Sequence, residues 1–243
     1  MRILLIGDVH GKLHLLHRLL TYARSTFSIN AAIQVGDFGF YETTFDLFSD
    51  DDLVFPVPVY AIDGNHEDHT WLKKKSKWHP KINLNYVTRG SVLSFGQSKI
   101  GFLGGALNRD RPQFKCNYIL PSERIKASRR FNKNPPDLVI THSCPASIGI
   151  GMHANEELRS GGNCYIRGIH TEEVDPGPED DCGEMELTKL WHSLKIRPLA
   201  WVFGHFHFKH RAMVDNTTFM ALPEITNPSI VIWDSEDKIL LDP

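Results

Sequence analysis

One stretch near the start of this 243-residue chain decides the interpretation of the fold: Ile3-Leu4-Leu5-Ile6-Gly7-Asp8-Val9-His10-Gly11. Residues 3–6 are apolar and predict a buried strand, which ends where the glycine and the polar residues begin. Between residues 13 and 23, leucines and an alanine recur at helical spacing. A strand, a polar loop and a helix in this order are typical of an α/β protein with a helix-covered sheet.

The same arrangement, an apolar run followed by a polar segment, occurs five times. The polar segments are Gly7-Asp8-Val9-His10-Gly11, Gly36-Asp37-Phe38-Gly39, Gly64-Asn65-His66-Glu67, Thr141-His142 and Gly204-His205-Phe206-His207. The apolar runs before them are residues 3–6, 31–35, 57–62, 138–140 and 200–203. Ligands of α/β sheets bind beyond the carboxyl ends of the strands, so these five segments are expected to meet at one rim.

The residue types in these segments favour metal binding. Asp, Asn and His offer oxygen and imidazole ligands without thiolate, which suits manganese, iron, zinc or similar ions. An extended backbone directs residues i and i+2 to the same side, so one loop can supply two ligands. Two divalent cations and two carboxylates together carry a net charge of about +2. This charge attracts phosphate and generates a bound hydroxide as the nucleophile. His66, next to the candidate ligand Asn65, is the expected general acid.

Other parts of the chain predict hairpins. Their strands and turns occupy residues 92–103, 212–222 and 230–241, and residues 187–194 form an amphipathic helical pattern. Hairpins beside a parallel portion predict two sheets packed face to face, with helices outside. A length of 243 residues suggests one domain, residues 1–243.

Composition restricts the classes of protein. The chain is 41% hydrophobic and 23% charged, with a formal net charge of −2, so composition favours neither a membrane nor a nucleic-acid partner. The first apolar run is too short for a signal peptide or a membrane span. Four cysteines without a Cys-x-x-Cys spacing are expected to be reduced thiols in a cytoplasmic protein. The sequence does not indicate an oligomeric state.

Taken in order, the motifs Asp-x-His, Gly-Asp, Gly-Asn-His-Glu, His and Gly-His-x-His resemble those of the calcineurin-like metallophosphoesterase superfamily, from residue 7 to residue 207. The resemblance implies a four-layer α/β/β/α sandwich. It also implies one metal ion held by Asp8, His10, Asp37 and His207. A second ion would share Asp37 as a bridge and be completed by Asn65, His142 and His205. His66 would be the general acid.

The second motif departs from the family pattern. Protein serine/threonine phosphatases of this superfamily carry Gly-Asp-x-x-Asp-Arg-Gly, whereas this chain has Gly36-Asp37-Phe38-Gly39-Phe40-Tyr41. The Asp that orients the catalytic histidine and the Arg that binds phosphate are therefore missing. Arg109 and Arg111, after another strand end, are the candidates for binding the substrate phosphate.

Residues 145–183 form an irregular, glycine-rich and acidic insertion. We expect either a specificity lid over the metal centre or a surface insertion without a role. As a lid, its carboxylates, among them Asp181, would repel a polyanion and favour a small substrate.

The leading function is hydrolysis of a phosphomonoester or phosphodiester, with a phosphorylated small molecule or nucleotide as substrate. A nuclease or a nucleic-acid end-processing phosphatase remains an alternative, although the composition shows no basic groove. A catalytically silent binding scaffold is the alternative from another class, and the full ligand set argues against it.

Overall fold

The computed structural model describes residues 1–46, 54–74, 82–107, 117–152 and 181–243. In chain order, the strands within these ranges are β1 Arg2–Ile6, β2 Ala31–Gln34, β3 Val59–Ala61, β4 Leu84–Tyr86, β5 Ser91–Phe95, β6 Ser98–Leu103, β7 Leu138–Thr141, β8 Ala200–Phe203, β9 His210–Val214, β10 Thr217–Ala221, β11 Val231–Asp234 and β12 Ile239–Leu241. The helices are α1 Leu13–Phe27, α2 Glu42–Asp46, α3 His69–Lys74, α4 Pro121–Lys133 and α5 Met185–Ser193. Among the helices of these ranges, none has the length and apolar character needed to cross a membrane.

The strands form two mixed six-stranded sheets. The first has the order β12-β11-β1-β2-β3-β4, in which β1 to β4 are parallel and β11 and β12 run antiparallel to their neighbours. The second has the order β5-β6-β7-β8-β10-β9, with a parallel centre and antiparallel edge strands β5 and β9. The three predicted hairpins are present as β5–β6, β9–β10 and β11–β12.

Three clusters of buried side chains define four layers. One cluster joins α1 to the outer face of the first sheet, for example through Leu16 and Leu4. A second joins α4 and α5 to the outer face of the second sheet and includes Trp191 and Trp201. The third fills the space between the sheets with side chains from both, such as those on β1 and β7. The predicted α/β/β/α sandwich is therefore confirmed.

Sequence patterns were less accurate at the level of single elements. The run at 57–62 predicted a longer strand than β3, which begins only at Val59. Pro58 has no backbone N–H to donate to the ladder, although its carbonyl accepts the Ala32 N–H at 2.9 Å. The short strand β4 and the helix α4 follow from no pattern described above.

Candidate metal centre

Three candidate ligands cluster where β1 and β8 end. The His207 Nε2 lies 2.9 Å from Oδ2 of Asp8 and 3.3 Å from Nε2 of His10. The distance between Asp8 Oδ2 and His10 Nε2 is 3.8 Å. One carboxylate and two imidazoles thus present ligand atoms to a common point.

A second group lies beside the first. The Nε2 of His142 is 3.3 Å from Oδ2 of Asp37 and 3.0 Å from Oδ1 of Asn65. Asp8 also belongs to this group, because its ligand atom lies within 4.8 Å of those of Asp37 and His142. The carboxylate common to both groups is therefore Asp8, whereas the resemblance assigns the bridging role to Asp37.

His205 adjoins both groups. Its ring meets that of His142 edge-on, with centroids 4.9 Å apart, and its backbone N–H donates to Asp8 Oδ1 at 3.0 Å. All seven residues proposed from the sequence as ligands thus lie within one connected region.

The donor set of the second group fits a cation. The Nδ1 of His142 lies 3.0 Å from the Val35 carbonyl, which can only accept, so a neutral ring carries its proton on Nδ1. Its Nε2 lone pair then faces the oxygens of Asp37 and Asn65, an arrangement that repels unless a positive charge lies between them. Burial alone lowers the pKa of His142, but Asp37 and Asp8 raise it to about 10. The pocket therefore attracts a proton when no metal is bound, and a divalent ion can replace that proton.

The other ionisable groups complement this arrangement. Burial, together with the positive charge of His142, lowers the pKa of His205 well below its usual value, and burial also lowers the pKa of His10. Both imidazoles are therefore neutral and can donate a lone pair to a metal ion. Burial raises the pKa of Asp37, but the charge and hydrogen bond of His142 outweigh it and leave a net lowering, so this carboxylate is ionised.

Four candidate ligands have strained backbones. His10, Asp37, His205 and His207 have φ values of 49°, 54°, 69° and 60°, in the left-handed region that non-glycine residues rarely occupy. Each such residue costs on the order of 1 kcal/mol and persists only where its surroundings hold it. The N–H groups of Val9 and His10 both donate to the Asp37 carbonyl, at 3.0 and 2.8 Å, and join two of these loops.

Close approach explains one glycine of the motifs. A Cβ at Gly64 would lie 2.8 Å from Cγ of Asp37, closer than real Cβ atoms come to other heavy atoms. Any larger residue at 64 would push the Asp37 carboxylate out of the second group.

The candidate general acid lies at the rim. His66 is exposed, and its ring meets that of His10 edge-on at 5.9 Å. Its backbone N–H donates to Asp37 Oδ1 at 2.8 Å, so the residue is anchored to a candidate ligand. Its ring contributes to neither group of ligand atoms.

Several predicted features lie outside the described residues. These are Arg109, Arg111 and the part of the insertion at 153–180. The two ends of the insertion are described, and they correct one expectation. The Asp181 carboxylate is fully buried and accepts the N–H groups of Gly149 and Gly151, at 2.9 and 3.0 Å, so it cannot face a substrate.

Sequence reasoning missed a buried ion network behind the site. Arg89 donates to Asp63 Oδ2 from Nε and Nη2, at 2.8 and 2.6 Å, and from Nη1 to Glu123 at 2.8 Å. Asn117 in turn donates to the backbone carbonyl of Asn65 at 2.8 Å. Asp63 immediately precedes the Gly-Asn-His-Glu motif, but Arg89 and Glu123 come from distant positions that no motif marks. Losing one partner of a buried ion pair costs about 3–5 kcal/mol, so this network fixes the base of the motif.

Glu67 is a further residue to which the sequence patterns assigned no role. Its buried carboxylate accepts the N–H groups of Phe38 at 2.8 Å and Phe40 at 2.5 Å. Its place in the Gly-Asn-His-Glu motif was the available signal. The carboxylate joins the loop after β3 to the loop after β2.

This fold and these loops identify the class of protein, since residues 1–209 match the family model described as calcineurin-like phosphoesterase. The chain belongs to the calcineurin-like phosphoesterase family. Members of this family hydrolyse phosphate esters with the help of divalent metal ions.

Two curated relatives are lariat debranching enzymes. The enzyme from Arabidopsis thaliana is 25% identical over 189 residues, which cover 70% of this chain and 42% of the relative. The one from Saccharomyces cerevisiae is 24% identical over 255 aligned positions, which cover 88% of this chain and 58% of the relative. The chain thus spans about half the length of the curated relatives that it matches.

A solved structure shares the fold. A dimetal phosphatase from Danio rerio is 11% identical and superposes with a TM-score of 0.52, covering 96% of this chain and 91% of its own. At this identity the likeness concerns the fold alone.

Proposed function

We propose that the chain hydrolyses a phosphate ester with two divalent metal ions. The observation that carries this proposal is the pair of adjoining ligand groups, which have Asp8 in common and lie where the strands of both sheets end. Two ions held close together can act on the attacking and the leaving oxygen of one phosphoryl group.

The proposed ligands are those implied by the sequence motifs. Asp8, His10, Asp37 and His207 would hold one ion, and Asp37, Asn65, His142 and His205 would hold the other. Oxygen and imidazole donors without thiolate suit manganese, iron or zinc. When bound, the ions supply a nucleophile at neutral pH and stabilise charge on the phosphoryl oxygens.

His66 is the proposed proton donor. The attacking oxygen forms a bond to phosphorus as the bond between phosphorus and the leaving oxygen breaks. His66 gives a proton to the leaving oxygen, and an alcohol departs. The exposed position at the rim and the anchorage to Asp37 support this role.

The proposed substrate is a phosphorylated small molecule or a nucleotide. Nucleic acid is a second candidate, because both curated relatives are lariat debranching enzymes. Such a substrate would present a phosphodiester, and the proposed centre can act on monoesters and diesters by the same chemistry.

Metal analysis and a substrate panel test the proposal. Protein purified without chelator is expected to contain about two equivalents of metal per chain. It is expected to hydrolyse at least one member of a panel of aryl phosphates, aryl phosphodiesters, cyclic nucleotides, short DNA and branched oligonucleotides. Chelation should abolish turnover, and Mn²⁺ or Zn²⁺ should restore it. Protein that binds no metal and hydrolyses none of these would instead be a binding scaffold.

A further inference from the structure

Two loops at the rim are joined along their length. On the inner side, the Glu67 carboxylate accepts N–H groups from Phe38 and Phe40. The Asp68 N–H donates to the Phe40 carbonyl at 3.2 Å. These three hydrogen bonds link the segment at 37–41 to the segment at 66–68.

On the outer side, the same two segments hold the backbone of His66. Its N–H donates to Asp37 Oδ1, and its carbonyl accepts a hydrogen bond from the Tyr41 hydroxyl. Tyr41 is half-buried, whereas the His66 side chain is exposed. An exposed ring thus projects from a residue whose two flanking peptide groups are both fixed.

The side chain of the neighbouring Phe40 packs in the core and cannot hold the His66 backbone. Phe40 is fully buried, stacks on Phe38 with centroids 4.8 Å apart and meets Tyr86 edge-on at 5.5 Å. In the Gly-Asp-x-x-Asp-Arg-Gly pattern, Phe40 occupies the place of the second Asp and Tyr41 that of the Arg. Phe40 therefore supplies no carboxylate to the His66 ring, and the segment holds the His66 backbone through the Asp37 carboxylate and the Tyr41 hydroxyl.

We infer that Tyr41 is a positioning residue for His66, acting through the His66 carbonyl rather than through the ring. This inference rests on the proposed role of His66 as general acid. Without the hydroxyl, the peptide after His66 can rotate, and the ring loses its fixed distance from the leaving oxygen. Because proton transfer requires hydrogen-bond reach, such a loss lowers the rate of protonation and leaves metal binding unchanged.

The test combines two variants with a series of leaving groups. Tyr41→Phe removes one hydroxyl and keeps the ring. Tyr22→Phe is the matched control, since Tyr22 is an exposed residue of α1. A general acid usually accelerates a reaction by roughly 10²- to 10⁴-fold, and Tyr41→Phe should lose part of that acceleration. For an ester with a high-pKa leaving group, kcat of Tyr41→Phe is therefore expected to fall about 10- to 100-fold. For a low-pKa leaving group, kcat should stay within about twofold. KM, metal content and Tm should match those of the wild type.

A double-mutant cycle decides whether Tyr41 acts through His66. In a His66→Gln background, Tyr41→Phe is expected to cost nothing further, because the group that it positions is already absent. Independent, multiplicative losses would overturn the inference, as would an equal loss for every leaving group.

Failure of the proposed function gives a different pattern. If His66→Gln itself shows no dependence on the leaving group, the general-acid role fails, and the inference falls with it. A ¹³C label on histidine carbonyls gives a readout independent of turnover. The His66 carbonyl resonance is expected to shift in Tyr41→Phe and to stay unchanged in Tyr22→Phe, and an unshifted resonance in Tyr41→Phe would refute the contact.

Discussion

Gly36 lies directly against the ring of His142. A Cβ at position 36 would be 2.6 Å from Cγ of His142, and the φ of Gly36 is +106°, which side-chain-bearing residues rarely adopt. The His142 ring is fully buried and is fixed by the Val35 carbonyl, so it has no room to retreat. The loop after β2 thus sets the position of a candidate ligand that directly follows β7 of the other sheet.

Gly36→Ala is therefore expected to displace His142. Metal content should fall from about two equivalents to one or fewer, and kcat should fall at least about 100-fold, because one ligand of the second group is lost. Elemental analysis and initial rates measure both. Gly151→Ala is the control for the cost of positive φ, since Gly151 has φ of +82° and its added Cβ would make only an ordinary contact with His210, at 3.5 Å. Equal metal loss in both variants would point to general destabilisation instead.

Asp37→Asn is expected to abolish turnover and to lower metal occupancy at both sites, as the bridging assignment requires. Since Asp8 is the carboxylate common to both ligand groups, Asp8→Asn is the informative comparison. Elemental analysis of the two variants under identical metal supply distinguishes the assignments. One remaining ion in Asp37→Asn, with none in Asp8→Asn, would transfer the bridging role to Asp8.

His66→Gln is expected to keep its metal and to lose about 10²- to 10⁴-fold in kcat, the usual worth of a general acid. The loss should shrink for esters whose leaving group has a low pKa and needs no proton. Steady-state rates across a series of aryl phosphates measure this slope. His192→Gln, at an exposed position of α5, serves as the control. A loss that is equal across the series would contradict the proposed role.

The sequence was sufficient for the fold class and for the region of the site because both depend on local patterns. Apolar runs predict strands, and polar residues immediately after them must lie at strand ends, as Asp8 and His142 do. The network of Arg89 with Asp63 could not be predicted, since it depends on which side chains tertiary packing brings together. Likewise, the role of Tyr41 depends on a contact between its hydroxyl and a backbone carbonyl on another loop, which no residue pattern encodes.

Glu184 is expected to make stability depend on pH. Burial raises the pKa of this carboxyl from 4.5 to about 7, although the Leu107 N–H donates to it at 2.7 Å. The folded state therefore holds this proton more tightly than the unfolded state, and stability falls as pH rises from about 4.5 to about 7. The free energy of unfolding of Glu184→Gln, relative to that of wild type, should therefore increase by about 2–3 kcal/mol between pH 5 and pH 8. This figure follows from about 1.4 kcal/mol per pKa unit.

Urea unfolding of chelated protein at the two pH values measures this gain. Glu186→Gln is the control, because the pKa of Glu186 is lowered, although burial alone would raise it, by hydrogen bonds from Lys189 and Arg124. The ionised Glu186 carboxylate stabilises the folded state at every pH above the pKa that this group has in the unfolded chain. That stabilisation is lost only as the pH falls below this pKa, so it should not change between pH 5 and pH 8. A constant difference between wild type and Glu184→Gln would contradict the raised pKa.

The last prediction concerns the insertion, whose two ends the structure describes. Asp181 accepts two N–H groups from residues 149 and 151, and the Glu184 N–H donates to the Cys144 carbonyl at 2.8 Å. These bonds hold the two ends of the insertion together. One of them is made by Cys144, two residues after the candidate ligand His142. A Gly/Ser linker in place of residues 153–180 therefore removes the acidic sequence and keeps its base intact.

If the insertion acts as a lid, this replacement should raise KM for the best substrate or change the ranking of substrates, with metal content unchanged. The removed sequence contains Glu172, Glu173, Asp175, Glu179 and Asp180. Because these carboxylates repel polyanions, rates on short DNA should improve relative to those on small esters, and the difference should shrink at high salt. Asp181→Asn in the chain that retains its insertion is the control for the base alone, since it keeps the acidic sequence. Unchanged kinetics on every substrate would leave a surface insertion without a role in specificity.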